Sequence, residues 1–310
     1  RTGGAAVAFT ATGGTSAGQV SSSTDNADGT YSAVFTATAA GSPTTIGATL
    51  NGVAVTTTLP TLTVSDPPPT AAVIFEDDFE TQSLSSWDQV DTSGGKFTIT
   101  TEPENVRDGA AALRITLNGS TGTAGAINKW FMPGYEEVWL VMDVKVDPTL
   151  TETGHFAGLQ GHRTDNQYSA YGQAGVRPDG QDFFQSMMDP GWAARPGWYL
   201  YSYWMEMECS GSPCYGNNIL QDAPRISHDG SWQRFVRRIR VNTVGQADGL
   251  EELWIDGDRK ILRSSVRFRD TADLLVNDLA LFAYFPGLTG TYYVYVDNVQ
   301  VRSSPLPGFD

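Results

Sequence analysis

"WYLYSYWMEME", residues 198–208, alternates with a period of two, and that rhythm decides the fold. Side chains of an extended strand point to opposite faces in turn. Tyr199, Tyr201 and Tyr203 therefore share one face, and Trp204, Glu206 and Glu208 share the other. The phenol face is the better candidate for the wall of a groove. Similar short runs recur from end to end, "AALRITL", "VWLVMDVKV", "SAYGQAGV", "WQRFVRRIRVN" and "EELWIDG" among them, separated by Gly, Asn, Asp and Pro. No apolar repeat at helical spacing persists, so the expected class is all-β.

Composition narrows the partners. The 310 residues carry a net charge of −15. An acidic surface argues against nucleic acid and anionic membranes. It also disfavours a polyanionic substrate unless basic groups are gathered at one place. No apolar run approaches the roughly 20 residues of a membrane span, so no membrane insertion is expected. The first residues, "RTGGAAVAFTATGG", already read as a strand without a signal peptide, and the natural start is expected upstream of residue 1. Cys209 and Cys214, the only cysteines, flank a Ser/Gly/Pro turn. The pair suits a small disulfide-closed loop of a secreted protein, two free thiols being the plainer alternative.

Composition changes near residue 66. Before it there is one Arg and neither Lys nor Trp; all eight Trp and every His follow. The expected organisation is a domain over 1–66, a stiff Pro-rich linker over 67–72 within the spacer that starts at "SDPPPT", a second domain over 73–303 and a tail over 304–310. In the first domain Asp28-Gly29 is a turn and Tyr31 starts a strand, as at the tyrosine corner of a sandwich. Residues 3–64, and "DNADGTY" above all, resemble the bacterial Ig-like repeats of invasin and intimin adhesins, although the usual first strand has no counterpart. The resemblance implies a spacer or stalk whose missing strand comes from a neighbouring Ig-like repeat or a second copy of the chain.

The second domain runs from "VIFEDDFETQSLSSW" to "TYYVYVDNVQV". Its many short, aromatic-rich strands suggest a double-sheet jelly roll. "GHFAGL", "VRPDG", "WYLY", "CYGNNI", "DGSWQRFVRRIRVNT", "ADGLEELWIDG" and "FAYFPG", in that order over about 130–300, resemble polysaccharide lyase family 14. That family comprises concanavalin-like jelly rolls, several of which cleave alginate or related polyuronides. The resemblance implies a polysaccharide partner, and with the cysteine pair and the bacterial Ig-like repeats the expected location is extracellular or at a bacterial cell surface. Its Tyr-x-Tyr pair matches Tyr199 and Tyr201. Its Lys falls on His155, and its Ser and Arg fall on Tyr171 and Gln173, so the two cations are replaced.

β-Elimination of a uronide needs a donor at the carboxylate, a base for the proton at C5 and an acid for the departing oxygen. Histidine suits the base and tyrosine the acid. The candidate catalytic set is His155, Gln173, Tyr199 and Tyr201. Candidate substrate contacts are Tyr171, Arg163, Arg177, Trp192, Trp198 and Tyr203, the aromatic ones by stacking on sugar rings. If 154–159 is a groove strand, His155 shares a face with Ala157 and Leu159, while Phe156 enters the core. If 169–177 is a strand, Ser169, Tyr171, Gln173 and Arg177 share its polar face.

Plainer readings stand beside these. His155 is then a hydrogen-bonded structural residue, His162 a solvated turn residue in "QGHRT", and His228 a loop residue. Arg234, Arg238 and Arg240 form either an anion-binding stripe or ion pairs with Glu252 and Asp256. Glu206 and Glu208 form either a glycosidase pair or an exposed strand face. Asp78, Glu80 and Asp297 are expected to hold a structural Ca²⁺ if the first and last strands are neighbours. The competing function is a non-catalytic carbohydrate-binding adhesin or filament subunit.

Overall fold

A computed structural model describes residues 3–64, 73–91, 93–118, 125–191 and 197–309. The expected linker and Trp192 lie outside them. The chain divides into two compact units, Arg1–Thr70 and Ala71–Asp310. Among the described residues no helix is long and apolar enough to cross a membrane.

The first unit holds β1 (Val7–Thr12), β2 (Ala17–Val20), β3 (Thr24–Asp25), β4 (Tyr31–Ser32), β5 (Phe35–Ala39), β6 (Thr44–Leu50), β7 (Val53–Ala54) and β8 (Thr61–Leu62). β6 pairs with β1, β7 and β8, while β2–β5 and β3–β4 form separate ribbons. Gly29, at φ 89°, turns the β3–β4 ribbon in a conformation that costs other residues more. The Tyr31 hydroxyl accepts the Ala5 N–H at 2.8 Å, tying a strand start to a distant segment. Only Ser16 and Thr44 are buried among its described residues, so this unit encloses little apolar core.

The second unit is a two-sheet sandwich. Its strands are β9 (Val73–Asp77), β10 (Gln89–Val90), β11 (Phe97–Thr100), β12 (Ala112–Asn118), β13 (Ala126–Tyr135), β14 (Glu137–Val146), β15 (His155–His162) and β16 (Phe183–Asp189). They continue as β17 (Tyr199–Tyr203), β18 (Asn217–Leu220), β19 (Trp232–Arg240), β20 (Gly249–Ile255), β21 (Asp258–Val266), β22 (Val276–Tyr284) and β23 (Thr291–Arg302). One sheet runs β10-β13-β22-β15-β16-β17-β18 and the other β11-β12-β23-β14-β19-β20-β21, with β9 on β23. First and last strands are thus neighbours. Leu113, Ile115, Phe156, Leu159, Phe184, Phe235, Leu279 and Val296 close completely between the sheets. Each such burial stabilises the sandwich by about 1.5–3 kcal/mol.

Polar groups also enter this core. Arg237 donates to the Ser186 carbonyl at 3.1 Å and hydroxyl at 2.8 Å, and Glu251 accepts from the hydroxyls of Ser186 and Ser202. Burial pushes the Arg237 guanidinium down to about 10.

Two strand expectations are corrected. The 198–208 alternation ends as a strand at Tyr203, so Glu206 and Glu208 share no strand face; Arg267 pairs with Glu206 at 3.0 Å. Residues 169–177 form turns, with Tyr171 N–H bonded to the Tyr168 carbonyl at 2.9 Å. Gly172 and Gly175 have φ of 74° and 79° there, which ends any extended run. The arginine stripe lies on the other sheet; Arg234 and Arg238 are ion-paired, and Arg240 donates to the Asp248 carbonyl at 3.2 Å. Arg238 meets Glu137 and Glu252, and the Arg234 guanidinium meets Asp143, while Asp256 accepts the Arg234 backbone N–H.

Candidate active site

The outer face of the seven-stranded sheet is built from cross-strand rungs. One rung aligns Asn128, Ala280, Gly158, Met187, Tyr201 and Asn218; the next aligns Trp130, Asp278, Gln160, Gln185 and Tyr203. Met187, Ala280 and Phe282 form an apolar strip on this face, with Tyr171 and Tyr201 packed against it.

His155 reaches the face through an irregularity. Between His155 and Ala157 two steps along β15 match three along β22. A register shift reverses which side chains face outward. Phe156 and Ala157 therefore both enter the core. His155 does not share its face with Ala157 and Leu159; that face continues as Gly158, Gln160 and His162. Phe156 is fully buried, as its spacing implied.

His155 Nδ1 lies 3.1 Å from Asp189 Oδ2, and Asp189 Oδ1 accepts the Phe156 N–H at 3.1 Å. The His155 side chain is 34% exposed while Asp189 is buried. Its ring stacks between Tyr201 and Tyr284, centroids 5.1 and 5.5 Å away. Burial disfavours the imidazolium, but the charge and hydrogen bond of Asp189 outweigh it, and the pKa is raised above 6.5. Tyr201 hydroxyl accepts the Gly216 N–H at 3.0 Å and lies 3.2 Å from Tyr203 hydroxyl. Burial, then the Tyr203 hydroxyl, push the Tyr201 pKa above its ordinary value, so the phenol keeps its proton.

A second polar cluster centres on Asp278, which is fully buried. It accepts from Asn128 at 3.1 Å, Gln160 at 3.0 Å, His162 Nε2 at 3.1 Å and Tyr171 at 3.4 Å. His162 is a buried strand residue and not a solvated turn residue. Its Nδ1 accepts the Ala170 N–H at 3.2 Å, which assigns the donor proton to Nε2. Both ring nitrogens are engaged, so His162 braces the 163–176 turns and has no free nitrogen for substrate. The two clusters meet β22 at Tyr284 and Asp278, about 20 Å apart at the rise of a strand. The two histidines thus belong to separate centres.

Tyr199 is buried with its hydroxyl 2.6 Å from Thr153 Oγ1, and Tyr203 is buried behind Tyr201. Gln173 donates to the Ser169 carbonyl and Arg177 to the Met205 carbonyl. Arg163 is held by Asp165 and Asp182. Trp198 is 1% exposed between the sheets, packed on Phe156 and Phe235, and is corrected to a core residue. His228 Nε2 lies 3.0 Å from the Leu150 carbonyl. Cys209 and Cys214 form a disulfide.

The three carboxylates nominated for calcium each accept backbone amides. Asp297 accepts the Arg107, Asp108 and Asn298 amides, Glu80 those of Ala110 and Ala111, and Asp78 that of Glu80. Among the described residues no group of three His, Cys, Asp or Glu is placed to hold a metal ion. Burial pushes Asp297 up to about 6.

No family model matches the chain, and no curated protein matches it. Solved structures do. The marine PL-14 alginate lyase from Aplysia kurodai aligns over 74% of this chain and 99% of its own, at 19% identity and TM-score 0.59. The second unit has the fold of the alginate and glucuronan lyases. Endo-β-1,4-glucuronan lyase from the fungus Trichoderma reesei aligns over 75% and 96%, at 17% identity and TM-score 0.52. A variant of alginate lyase Aly36B in complex with alginate tetrasaccharide aligns over 71% and 86%, at 18% identity and TM-score 0.52.

Within this lyase fold, sequence reasoning missed Asp189 and Asp278. Each had a signal. Asp278 is a lone carboxylate inside the apolar run "LLVNDLALF", and Asp189 ends the apolar "FFQSMMD". A charge at such a place needs buried partners.

Proposed function

We propose that the second unit is a polysaccharide lyase that cleaves a uronic-acid-containing polysaccharide by β-elimination at His155 and Tyr201. The observation that carries the reading is the His155–Asp189 pair on an accessible sheet face with the Tyr201 ring stacked on it. Asp189 engages Nδ1 and leaves Nε2 to take the C5 proton of the uronide. Electrons of that C–H bond form the C4–C5 double bond as the C4–O4 bond breaks. Tyr201 donates its proton to O4. Tyr199, buried on Thr153, is a support for this pair. Incubation with a panel of polyuronides should raise absorbance near roughly 235 nm, where the unsaturated ends produced by this acid–base chemistry absorb. Folded protein that gives no such product on any polyuronide would falsify the reading.

One observation favours a second reading. Among the described residues no Lys or Arg is hydrogen-bonded or ion-paired to His155, Asp189 or Tyr201. Without such a cation the developing enolate is less stabilised, and the same face would serve as a non-catalytic carbohydrate-binding surface. Glycan binding with no product distinguishes it. The disulfide supports an extracellular location, and the sparse core of the first unit supports a strand donated by a neighbouring repeat or second copy; a strictly monomeric protein in sedimentation opposes donation by a second copy.

A further inference from the structure

A proton donor is effective only when its O–H is aimed. The segment leading into β18 touches the Tyr201 hydroxyl from one side. It is closed by the Cys209–Cys214 disulfide. It is closed again at its neck, where Glu208 N–H donates to Asn217 Oδ1 and Asn217 Nδ2 donates to the Glu208 carbonyl, both at 2.9 Å. Two residues beyond the disulfide ring and inside the neck clamp, Gly216 N–H donates to Tyr201 hydroxyl at 3.0 Å. A Cβ at Gly216 would lie 2.7 Å from the Tyr203 ring and 2.8 Å from Tyr201 Cζ, so only glycine brings its amide this close.

The loop grips the neighbouring tyrosine as well. Cys214 N–H donates to the Gly175 carbonyl at 2.8 Å, and Gly175 N–H donates to Tyr203 hydroxyl at 3.3 Å. Tyr203 hydroxyl returns to Tyr201 hydroxyl at 3.2 Å. Together with the backbone from Cys214 to Gly216, these hydrogen bonds close a circuit through Gly175, Tyr203 and Tyr201.

We infer that the Cys209–Cys214 loop is a positioning element for Tyr201, with Gly216 as the residue that sets the direction of the phenol proton. Gly216 N–H occupies one acceptor site of the Tyr201 oxygen and Tyr203 can donate to the other. The Tyr201 proton is then left for the groove. This rests on Tyr201 being the acid of the lyase reading, and it explains a disulfide that spans only a short loop already clamped at its neck.

The test replaces both cysteines by serine, Cys209→Ser with Cys214→Ser, and separately makes Gly216→Ala and Tyr201→Phe. On a polyuronide, the serine pair and Gly216→Ala should lower kcat about ten- to hundred-fold with KM little changed, the signature of a misaimed donor. Hydrogen exchange of the Gly216 amide, read by NMR, is the second measurement. Its protection should fall about ten-fold in Tyr201→Phe and in the serine pair, as for the loss of one hydrogen bond. A wild-type protein that cleaves no polyuronide removes the lyase reading alone, because the exchange measurement needs no turnover. Unchanged Gly216 protection in Tyr201→Phe overturns the positioning role, also where the serine pair fails to fold. Unchanged kcat in a folded serine pair overturns it as well.

Discussion

His155 is where two electrostatic effects oppose each other. Burial favours the neutral ring and Asp189 favours the imidazolium, with Asp189 prevailing. A raised folded pKa has a definite sign for stability: the contribution is complete below 6.5 and is lost as pH rises through the folded value. Activity runs the other way, since a base must be unprotonated. kcat/KM should therefore rise with pH through an inflection above 6.5, and Asp189→Asn should move that inflection down. A pH profile with an inflection that Asp189→Asn leaves in place would separate His155 from the rate. His155→Ala should abolish turnover and lower the melting temperature only modestly, because the ring itself is partly exposed while buried Asp189 loses one partner and keeps the Phe156 amide. Should His155→Ala unfold the protein while activity per folded molecule survives, the residue is structural.

At the scale of the element, β15 and β22 show what alternation can and cannot convey. Period two is enough to predict strands in "AALRITL", "VWLVMDVKV" and "WQRFVRRIRVN", seen at Ala112–Asn118, Glu137–Val146 and Trp232–Arg240, and to place Phe156 in the core. It cannot show a register shift, because the shift depends on how many β22 residues oppose each β15 residue. His162 and Gln160 were thereby hidden from the face they occupy. The turns at 169–177 were hidden for another reason: small residues alternate in turns as easily as in strands, and only Gly172 and Gly175 signal the break. The same strand yields a stability prediction. A Cβ at Gly161 would lie 2.1 Å from the Phe184 ring, whereas one at Gly158 would meet the Met187 thioether at 2.5 Å. Phe184 is locked in the core and Met187 is flexible. Gly161→Ala should cost about 1–3 kcal/mol by denaturant unfolding, and Gly158→Ala less. Phe156→Ala should cost about 3–5 kcal/mol through the cavity it leaves. Equal effects at the two glycines would mean that Met187 is as fixed as Phe184.

For the whole molecule, the all-β class and two-sheet architecture were legible because they follow from many strands at once, so one misread segment does not alter them. A metal site depends instead on where a few side chains converge. The first and last strands do meet, and backbone amides bond Asp78, Glu80 and Asp297 there. A calcium ion held by these carboxylates, as proposed, would make chelator lower the melting temperature of the second unit and added calcium restore it; an unchanged melting temperature would show that the amides alone hold them. Net charge acts at this scale too, through a field that reaches beyond any one contact. A chain of −15 repels a polyuronide at long range. The screening length shrinks from about 30 Å at 0.01 M salt to about 8 Å at 0.15 M. Repulsion from the wider surface is then removed while contacts inside the groove persist. KM for a polyuronide should consequently fall about three-fold over that range, while binding of a neutral glycan stays constant. A KM that rises with salt instead would show that a local cation, with imidazolium His155 the nearest candidate, dominates the approach of substrate. His155 would then be a carboxylate receptor, and the proton at C5 would need another base.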